Sequence, residues 1–305
     1  MTGQRGWQPI LSPQQSSDML SLAEEIASAL AELPADRPCY RPSDRISLSA
    51  GLAGRALFLA YLELARPGRG WGEGAVDLLE QSMEQLSEVP ADHSLYSGFL
   101  GVAWVLEHLH RMIVDDGEDP GEEIAEAVER TLAAAPFHIG FDLISGFVGM
   151  GVYARERLPR PRAEGCLRQV VDLLSQSAER RDRTAAWNTS PAEVPADRRT
   201  QFPAGYCFTG AAHGAAGVIS FLAEAQEAGV ETRPLLDEAV AWLLSVKLPP
   251  GSPSVFPYEV APGAASQRPT RLAWCHGDPG LRRAGQRRCR GRRGTRPGGS
   301  AAGWR

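Results

Sequence analysis

The sequence lacks several features that would assign it to a common class of protein. Its 305 residues include no run of about 18 apolar residues, which a membrane-spanning helix requires, and no signal-peptide core follows Met1. The five cysteines are odd in number, widely spaced and without a Cys-x-x-Cys pair, which excludes a disulfide framework. We therefore predict a cytoplasmic protein with no transmembrane segment.

Acidic residues are absent from residues 282–305, which contain nine arginines. The net charge of −5 is therefore unevenly distributed, and residues 1–281 carry −14. An acidic body argues against nucleic acid as a partner. Alternation of apolar and polar residues with a period of two is also missing over any useful length, so we expect little β-structure.

What the sequence does contain is a Gly-x-x-Gly pair that recurs at intervals of roughly 45–70 residues, a period that is typical of repeat architectures. The pairs are Gly51/Gly54, Gly98/Gly101, Gly146/Gly149, Gly214/Gly217 and Gly277/Gly280. Each of the first four opens into an apolar run, and each apolar run is followed by a segment with a single apolar stripe. The default use of such glycines is conformational, to permit close packing.

The alternation of apolar and one-faced segments predicts an all-α protein. The predicted helices are a first one capped by Ser17 or Asp18 and ending near Leu33, then Leu52–Leu64, Ala75–Leu86, Gly98–Leu109, Glu122–Ala133, Gly146–Arg155, Ala163–Leu174, Gly214–Ala225 and Pro234–Val246. The apolar helices would form an inner ring and the others an outer ring. This arrangement is an α/α barrel, and parallel inner helices would begin at one common mouth.

The position directly before the first glycine of each pair is where we expect a helix N-cap. Ser97 and Ser145 suit that role, because a serine oxygen accepts a hydrogen bond from the first turn of a helix. In the last two repeats the same position contains His213 and His276. We therefore predict two imidazoles at neighbouring helix N-termini.

Chemically reactive side chains precede the glycine pairs of the last three repeats. They are Asp142, His213, Arg271, Cys275 and His276. Two long loops rich in proline, 180–205 and 249–270, lead into the last two of these repeats, and loops of that length are commonly functional. Cys207 stands between aromatic residues and is predicted to be a core residue.

The chain resembles the lanthionine synthetase C-like (LanC-like) cyclases from about Ser47 to Leu281. The resemblance rests on the repeated glycine pairs, on Ala212-His213-Gly214, and on the later sequence Arg271-x-x-Trp274-Cys275-His276-Gly277-Asp278-Pro279-Gly280. Members of that family add a peptide cysteine thiol to dehydroalanine or dehydrobutyrine, which closes lanthionine thioether rings. The resemblance implies zinc as cofactor, a dehydrated precursor peptide as substrate, and a dehydratase and export machinery as further partners in lanthipeptide biosynthesis.

The resemblance also implies a role for each candidate residue. Cys275 would be a zinc ligand, and bound zinc stabilises a substrate thiol as thiolate. His213 would be the general acid or base, with Asp142 as its partner in proton handling. Arg271 would stabilise negative charge or orient Asp142. His276 would assist the reaction from the wall of the site that lies next to the zinc.

The sequence departs from the family pattern after Leu281. The family site takes three protein ligands, of which the second and third form an adjacent Cys-His pair roughly 45 residues after the first. No such second pair follows Cys275, and Cys289 stands among arginines. We expect a partial LanC-like domain over residues 1–281, with a barrel incomplete at its C-terminal end. Residues 282–305 would be a basic, disordered, non-homologous tail, from a frameshift or truncation or as a genuine basic extension.

Three functions remain open on the sequence. The first is a zinc-dependent lanthipeptide cyclase, and the second is a catalytically inactive peptide-binding scaffold or truncated remnant. Whether the chain is an enzyme depends on the missing zinc ligands. The third is another α/α-barrel enzyme such as a glycoside hydrolase, which would need two opposed carboxylates. Only Asp142 occupies a motif position, which disfavours the third function.

Overall fold

The structure, a computed structural model, describes residues 9–33, 39, 41–113, 119–134, 139–261 and 267–281. These residues fold mainly as helices. The helices are α1 (Pro13–Ala31), α2 (Leu52–Ala65), α3 (Trp71–Leu86), α4 (Phe99–Ile113), α5 (Glu122–Ala133), α6 (Phe147–Glu156), α7 (Ala163–Ser177), α8 (Ala215–Glu227) and α9 (Arg233–Ser245). The strands, of two or three residues each, are β1 (Glu179–Arg181), β2 (Thr184–Ala186), β3 (Cys207–Phe208) and β4 (Glu259–Val260). The predicted low β content is confirmed.

Every predicted helix is present, and the largest error lies at the start of α1. That helix begins at Pro13 and is capped by Ser12, whose Oγ accepts the N–H of Gln15 (3.3 Å). The side chain of Gln15 accepts the N–H of Ser12 in return (2.9 Å), which completes a capping box. The predicted caps, Ser17 and Asp18, therefore lie inside the helix, and that prediction is wrong.

One compact unit comprises residues 1–92 and 97–118. In this unit α2 packs against α3 and α4. Small residues of α2 and branched residues of α4 build its core. The core residues are Ile46, Ala53, Ala56, Ala60, Ala75, Leu79, Val102, Val105 and Leu109. Of the apolar stripe expected along α3, Leu79 is buried and Met83 and Leu86 pack against the core, whereas Val76 is exposed and the neighbouring Ala75 is buried in its place.

The second unit comprises residues 93–96 and 119–305, and it contains all the candidate site residues. Helix α6 packs against α7 and α8, and α8 packs against α9. The predicted buried stripes of α7 and α9 are confirmed, with Leu167, Val170, Val171 and Leu174 of α7 and Leu236, Val240 and Leu243 of α9 all buried. The predicted tail, residues 282–305, lies outside the described residues, so its boundary stays a prediction.

The glycine repeats form the same turn each time, and a helix begins directly after the first glycine. Gly51, Gly146 and Gly214 are themselves the N-caps, without a side-chain hydrogen bond, so the prediction of a cap one residue earlier is wrong. Backbone carbonyls of the turn accept the first helical N–H groups instead, as Gly140 does for Phe147 (2.9 Å). Such acceptors replace a capping side chain.

Both glycines of a pair are needed because the turn folds back over the helix N-terminus. A Cβ on Gly214 would clash with the carbonyl of Phe208, and one on Gly217 would clash with that of Ala211. In each case the obstructing carbonyl lies six residues earlier. The conformational role predicted for the pair is a close approach of backbone to backbone.

The two long loops contain short sheets rather than wholly irregular chain. Strands β1 and β2 pair as an antiparallel hairpin, and β3 pairs antiparallel with β4, so that Phe208 lies opposite Glu259. The second pairing brings residues 259 and 260 of the second long loop against the segment that leads into α8. No helix in the described part of the chain is long and apolar enough to cross a membrane.

Candidate functional site

The centre of the site is a contact between an imidazole and a carboxylate. Nδ1 of His213 lies 2.5 Å from Oδ2 of Asp142. The side chain of Asp142 is 16% exposed, whereas that of His213 is 39% exposed. With Asp142 ionised, Nδ1 is the donating nitrogen, so Nε2 of His213, the more exposed of the two side chains, is left to accept or release a proton.

The carboxyl group of Asp142 is kept ionised by its neighbours. Oδ1 accepts hydrogen bonds from the N–H (2.8 Å) and the Oγ–H (3.3 Å) of Ser145. Burial alone would raise the pKa of Asp142, but the hydrogen bond and charge of His213, together with the bonds from Ser145, hold it below its ordinary value. Ser145, predicted as a helix cap, serves the carboxylate instead.

Backbone hydrogen bonds join the turns that precede α6, α8 and the last glycine pair. The N–H of Leu143 donates to the carbonyl of Ala212 (3.1 Å), and the N–H of Ala212 donates to the carbonyl of Cys275 (3.0 Å). Gly210 has to lack a side chain here, since a Cβ would meet the carbonyl of Cys275 and the Cα of His276. The three turns therefore lie side by side, each one carrying a candidate residue.

His276 lies in an aromatic cluster next to the pair. Its ring centroid is 4.7 Å from that of Tyr258, 5.2 Å from that of Phe208 and 5.7 Å from that of His213. Burial, reinforced by the positive charges of His213 and two nearby arginines, lowers the pKa of His276 to about 4. The ring is therefore neutral near pH 7, and its Nδ1 is buried without a hydrogen-bond partner among the described residues.

Cys275 and Arg271 lie beside this cluster. The Cys275 side chain is half-buried, and Arg271 is exposed. The positive charge of Arg271 contributes to the lowered pKa of His276. Within the described chain the hydrogen bonds to Asp142 come from Ser145 and His213, so these residues, rather than Arg271, orient the carboxylate.

A match to a family model establishes the family to which the chain belongs. The model described as lanthionine synthetase C-like protein matches residues 42–289. The chain belongs to this family. The resemblance inferred from the glycine pairs and the His213 and Cys275 motifs is thereby confirmed, and these motifs lie within the matched residues.

A solved structure gives the same result for the fold. This LanC-like chain matches the structure named nisin cyclase with a TM-score of 0.72 and 19% sequence identity, over 90% of this chain and 71% of that one. The all-α class and the α/α-barrel fold predicted from the sequence are confirmed by this likeness. No curated protein matches the chain.

The family resemblance of this LanC-like chain implies a zinc site that includes Cys275. A catalytic zinc site takes three protein ligands and leaves one position open. In the described ranges no three Cys, His, Asp or Glu side chains are grouped so that they could hold a metal ion. Cys289, the other thiol considered, lies outside those ranges. The described residues of this LanC-like chain therefore do not form a complete zinc site.

The aromatic neighbours of the site could not be predicted from the glycine motifs. Nothing in the sequence pattern marked Tyr258, which lies in the second long loop 18 positions before His276 but packs against its ring. Phe208 could have been inferred only from the β3–β4 pairing. Cys207, predicted to be a core residue, is half-buried. Burial raises the pKa of its thiol to about 12, so it stays protonated near neutral pH.

Proposed function

We propose that this LanC-like chain is a lanthipeptide cyclase, which adds cysteine thiols of a dehydrated precursor peptide to dehydroalanine or dehydrobutyrine. The observation that carries the proposal is the 2.5 Å contact between His213 and Asp142. It orients the imidazole of His213, whose side chain is partly exposed, in a site that also contains a half-buried thiol and a neutral imidazole. That arrangement suits a reaction that moves one proton and transfers no other group.

The chemistry balances with His213 as the only proton carrier. The substrate thiol gives its proton to Nε2 of His213, and the sulfur forms a bond to the β-carbon of the dehydro residue. The π electrons of the broken double bond move onto the α-carbon and its carbonyl as an enolate, which takes the proton back from His213. Ionised Asp142 stabilises the imidazolium in between.

The other candidate residues act on charge and on orientation. Arg271 is exposed beside the site, and we propose that it stabilises the enolate oxygen. His276, neutral near pH 7, forms a wall with Tyr258 and Phe208 that limits the access of water. We assign Cys275 as a ligand of zinc, which would supply thiolate stabilisation when bound. The described donors do not complete that site, and the proton transfers assigned to His213 need no metal.

The partners follow from the reaction. Dehydroalanine and dehydrobutyrine arise by loss of water from serine and threonine, so a dehydratase has to act first. Export machinery would remove the finished peptide from the cytoplasm, where we place the reaction. The incomplete zinc site among the described residues favours the alternative of an inactive scaffold. The oriented His–Asp pair favours the cyclase, since such a pair serves no evident purpose in peptide binding alone.

The experiment is a ring-closure assay with a synthetic peptide that contains one cysteine and one dehydroalanine. Ring closure leaves the mass unchanged, so the product is detected by resistance to N-ethylmaleimide, which adds its mass only to free thiols. We expect the peptide thiol to become resistant to N-ethylmaleimide faster with the 305-residue chain than in buffer alone. The His213→Asn variant should give the same rate as buffer.

The matched control is His93→Asn, which alters a histidine outside the motif positions and should leave the rate unchanged. Peptide binding measured by fluorescence anisotropy separates the alternatives. Binding without any protection of thiols, in the presence and absence of added zinc, would refute the cyclase proposal and favour the scaffold.

A further inference from the structure

We infer that residues 254–260, here called the strap, hold the His213 turn and the Cys275 turn in register, with Thr209 and Asp278 as the positioning residues through which the strap acts. The inference rests on the proposed function, because it assigns these residues to the geometry of the same site. Neither residue has been given a role so far. The strap lies in the second long loop and crosses both turns.

The first attachment joins the strap to the Cys275 turn. The N–H of Val255 donates to Oδ2 of Asp278 (2.8 Å). Asp278 follows Gly277 and lies three residues after Cys275, at the start of the helical turn 278–281. The hydrogen bond from Val255 holds Oδ2 of Asp278, whereas Oδ1 is buried without a hydrogen-bond partner among the described residues. Movement of the strap at Val255 is therefore transmitted to the backbone next to Cys275.

The second attachment joins the strap to the His213 turn. Oγ1 of Thr209 donates to the carbonyl of Pro257 (2.6 Å), and the N–H of Thr209 donates to the carbonyl of Tyr258 (3.5 Å). Thr209 is fully buried, and its own carbonyl accepts the N–H of Ala216 in the first turn of α8 (3.2 Å). A single residue thus connects the strap to the helix that His213 precedes.

Further hydrogen bonds and an ion pair hold the strap along its length, which limits its movement between the two turns. The Glu259 carboxylate is buried, accepts a hydrogen bond from Arg268 (2.9 Å) and lies 3.5 Å from the guanidinium of Arg198. At the other end, the Oγ of Ser254 accepts the N–H of Thr270 (2.9 Å). Charge-assisted bonds to a buried carboxylate are the stronger kind.

The consequence for the site is the position of the Tyr258 ring. Between its two attachments the strap sets this ring 4.7 Å from the ring of His276 and 5.4 Å from that of Phe208. The guanidinium carbon of Arg268 lies 4.3 Å from the centroid of the Tyr258 ring. Thr209 and Asp278 touch neither His213 nor Asp142 through their side chains, so they affect the reaction only by position.

The first test compares two changes at Thr209. Thr209→Val keeps the shape and removes the hydroxyl, whereas Thr209→Ser keeps the hydroxyl. The matched control is Thr232→Val, since Thr232 is equally buried and donates to the carbonyl of Leu222 (2.8 Å) away from the site. The readout is the rate at which iodoacetamide alkylates Cys275, followed in the tryptic peptide 272–282, which contains no other cysteine.

We expect Thr209→Val to alter the alkylation rate of Cys275 about fivefold, the change in a local opening equilibrium that loss of one ordinary hydrogen bond produces. Hydrogen exchange in residues 252–261 should rise in parallel. Thr209→Ser should restore both values, and Thr232→Val should lower the melting temperature without changing either. Equal effects of Thr209→Val and Thr232→Val on Cys275 would overturn the inference.

The second test acts at the other attachment. Asp278→Asn keeps an oxygen that can accept the N–H of Val255, whereas Asp278→Ala removes it, so only the alanine variant should reproduce the effects of Thr209→Val. In the ring-closure assay the alanine variant should lower kcat more than it raises KM. The alkylation and exchange measurements need no substrate, so a chain that closes no ring leaves this test intact. An unchanged rate of amide hydrogen exchange at residues 252–261 in Asp278→Ala would contradict the role that we assign to the strap.

Discussion

Nδ1 of His213 lies 2.5 Å from Oδ2 of Asp142, although 71 positions of sequence separate the two residues. The contact is possible because their turns lie side by side, joined by the hydrogen bond from Leu143 to the carbonyl of Ala212. Repetition of one turn type thus places a carboxylate and an imidazole within reach. The same repetition places the Cys275 turn next in line.

Asp142→Asn should abolish most of the ring closure while leaving the fold intact. An amide cannot stabilise the imidazolium of His213, and it can also hold the ring in the wrong tautomer. We expect the rate to fall by about 10²–10⁴-fold, the usual contribution of a positioned acid or base. The rate of thiol protection measures this, with Asp172→Asn on the exposed face of α7 as the control. A fall of less than threefold in the rate of ring closure would argue against a catalytic role for the His213–Asp142 pair.

The ionisation of Asp142 should depend on His213. Because the folded pKa is lowered, the carboxylate contributes stability that is fully present above the ordinary value of 3.8 and is lost as pH falls through the folded pKa. A carboxyl ¹³C titration by NMR should give a midpoint below 3.8 in the unsubstituted chain. In His213→Asn the midpoint should rise, because burial then acts with less opposition. An identical midpoint in both proteins would contradict this electrostatic account.

Zinc binding by the 305-residue chain should be weak, with clearly less than one zinc retained per chain. The described residues offer no group of three donors. If Cys289 were to serve, each flanking arginine at 4 Å from the zinc dication would cost about 8 kcal/mol at an effective dielectric constant of 20 unless it turned away. Metal analysis after purification without chelator measures the content. One zinc per chain, lost in Cys275→Ala, would show that the chain completes a site.

Gly210→Ala should destabilise the protein by about 1–3 kcal/mol, the usual cost of forcing atoms into a close-packed region. Its Cβ would collide with the carbonyl of Cys275, which the neighbouring hydrogen bond from Ala212 keeps in place. The free energy of unfolding in urea measures the effect. Gly165→Ala is the matched control, because no atom lies within 4 Å of a Cβ there and α7 gains a better helix former. Equal stability of both variants would contradict the prediction.

The local pattern predicted most of the secondary structure. Periodicity of apolar residues located α2 to α9 to within a few residues, because a helix that packs on one face must repeat with its own geometry. The ends were less accurate where backbone groups did the capping. Ser145 has the chemistry of a cap, but carbonyls of the turn already satisfy the first N–H groups of α6, and its hydroxyl donates to Asp142 instead.

The sequence by itself determined which turns carry reactive groups, since the position of Asp142, His213 and Cys275 relative to a glycine pair is a local property. Only the tertiary structure decided which atoms meet. The His213–Asp142 contact, the ring of Tyr258 against His276 and the attachment of Val255 to Asp278 all join separate turns and loops. Such contacts depend on the packing of whole helices, which fixes the distance between turns. No spacing along the chain encodes that distance.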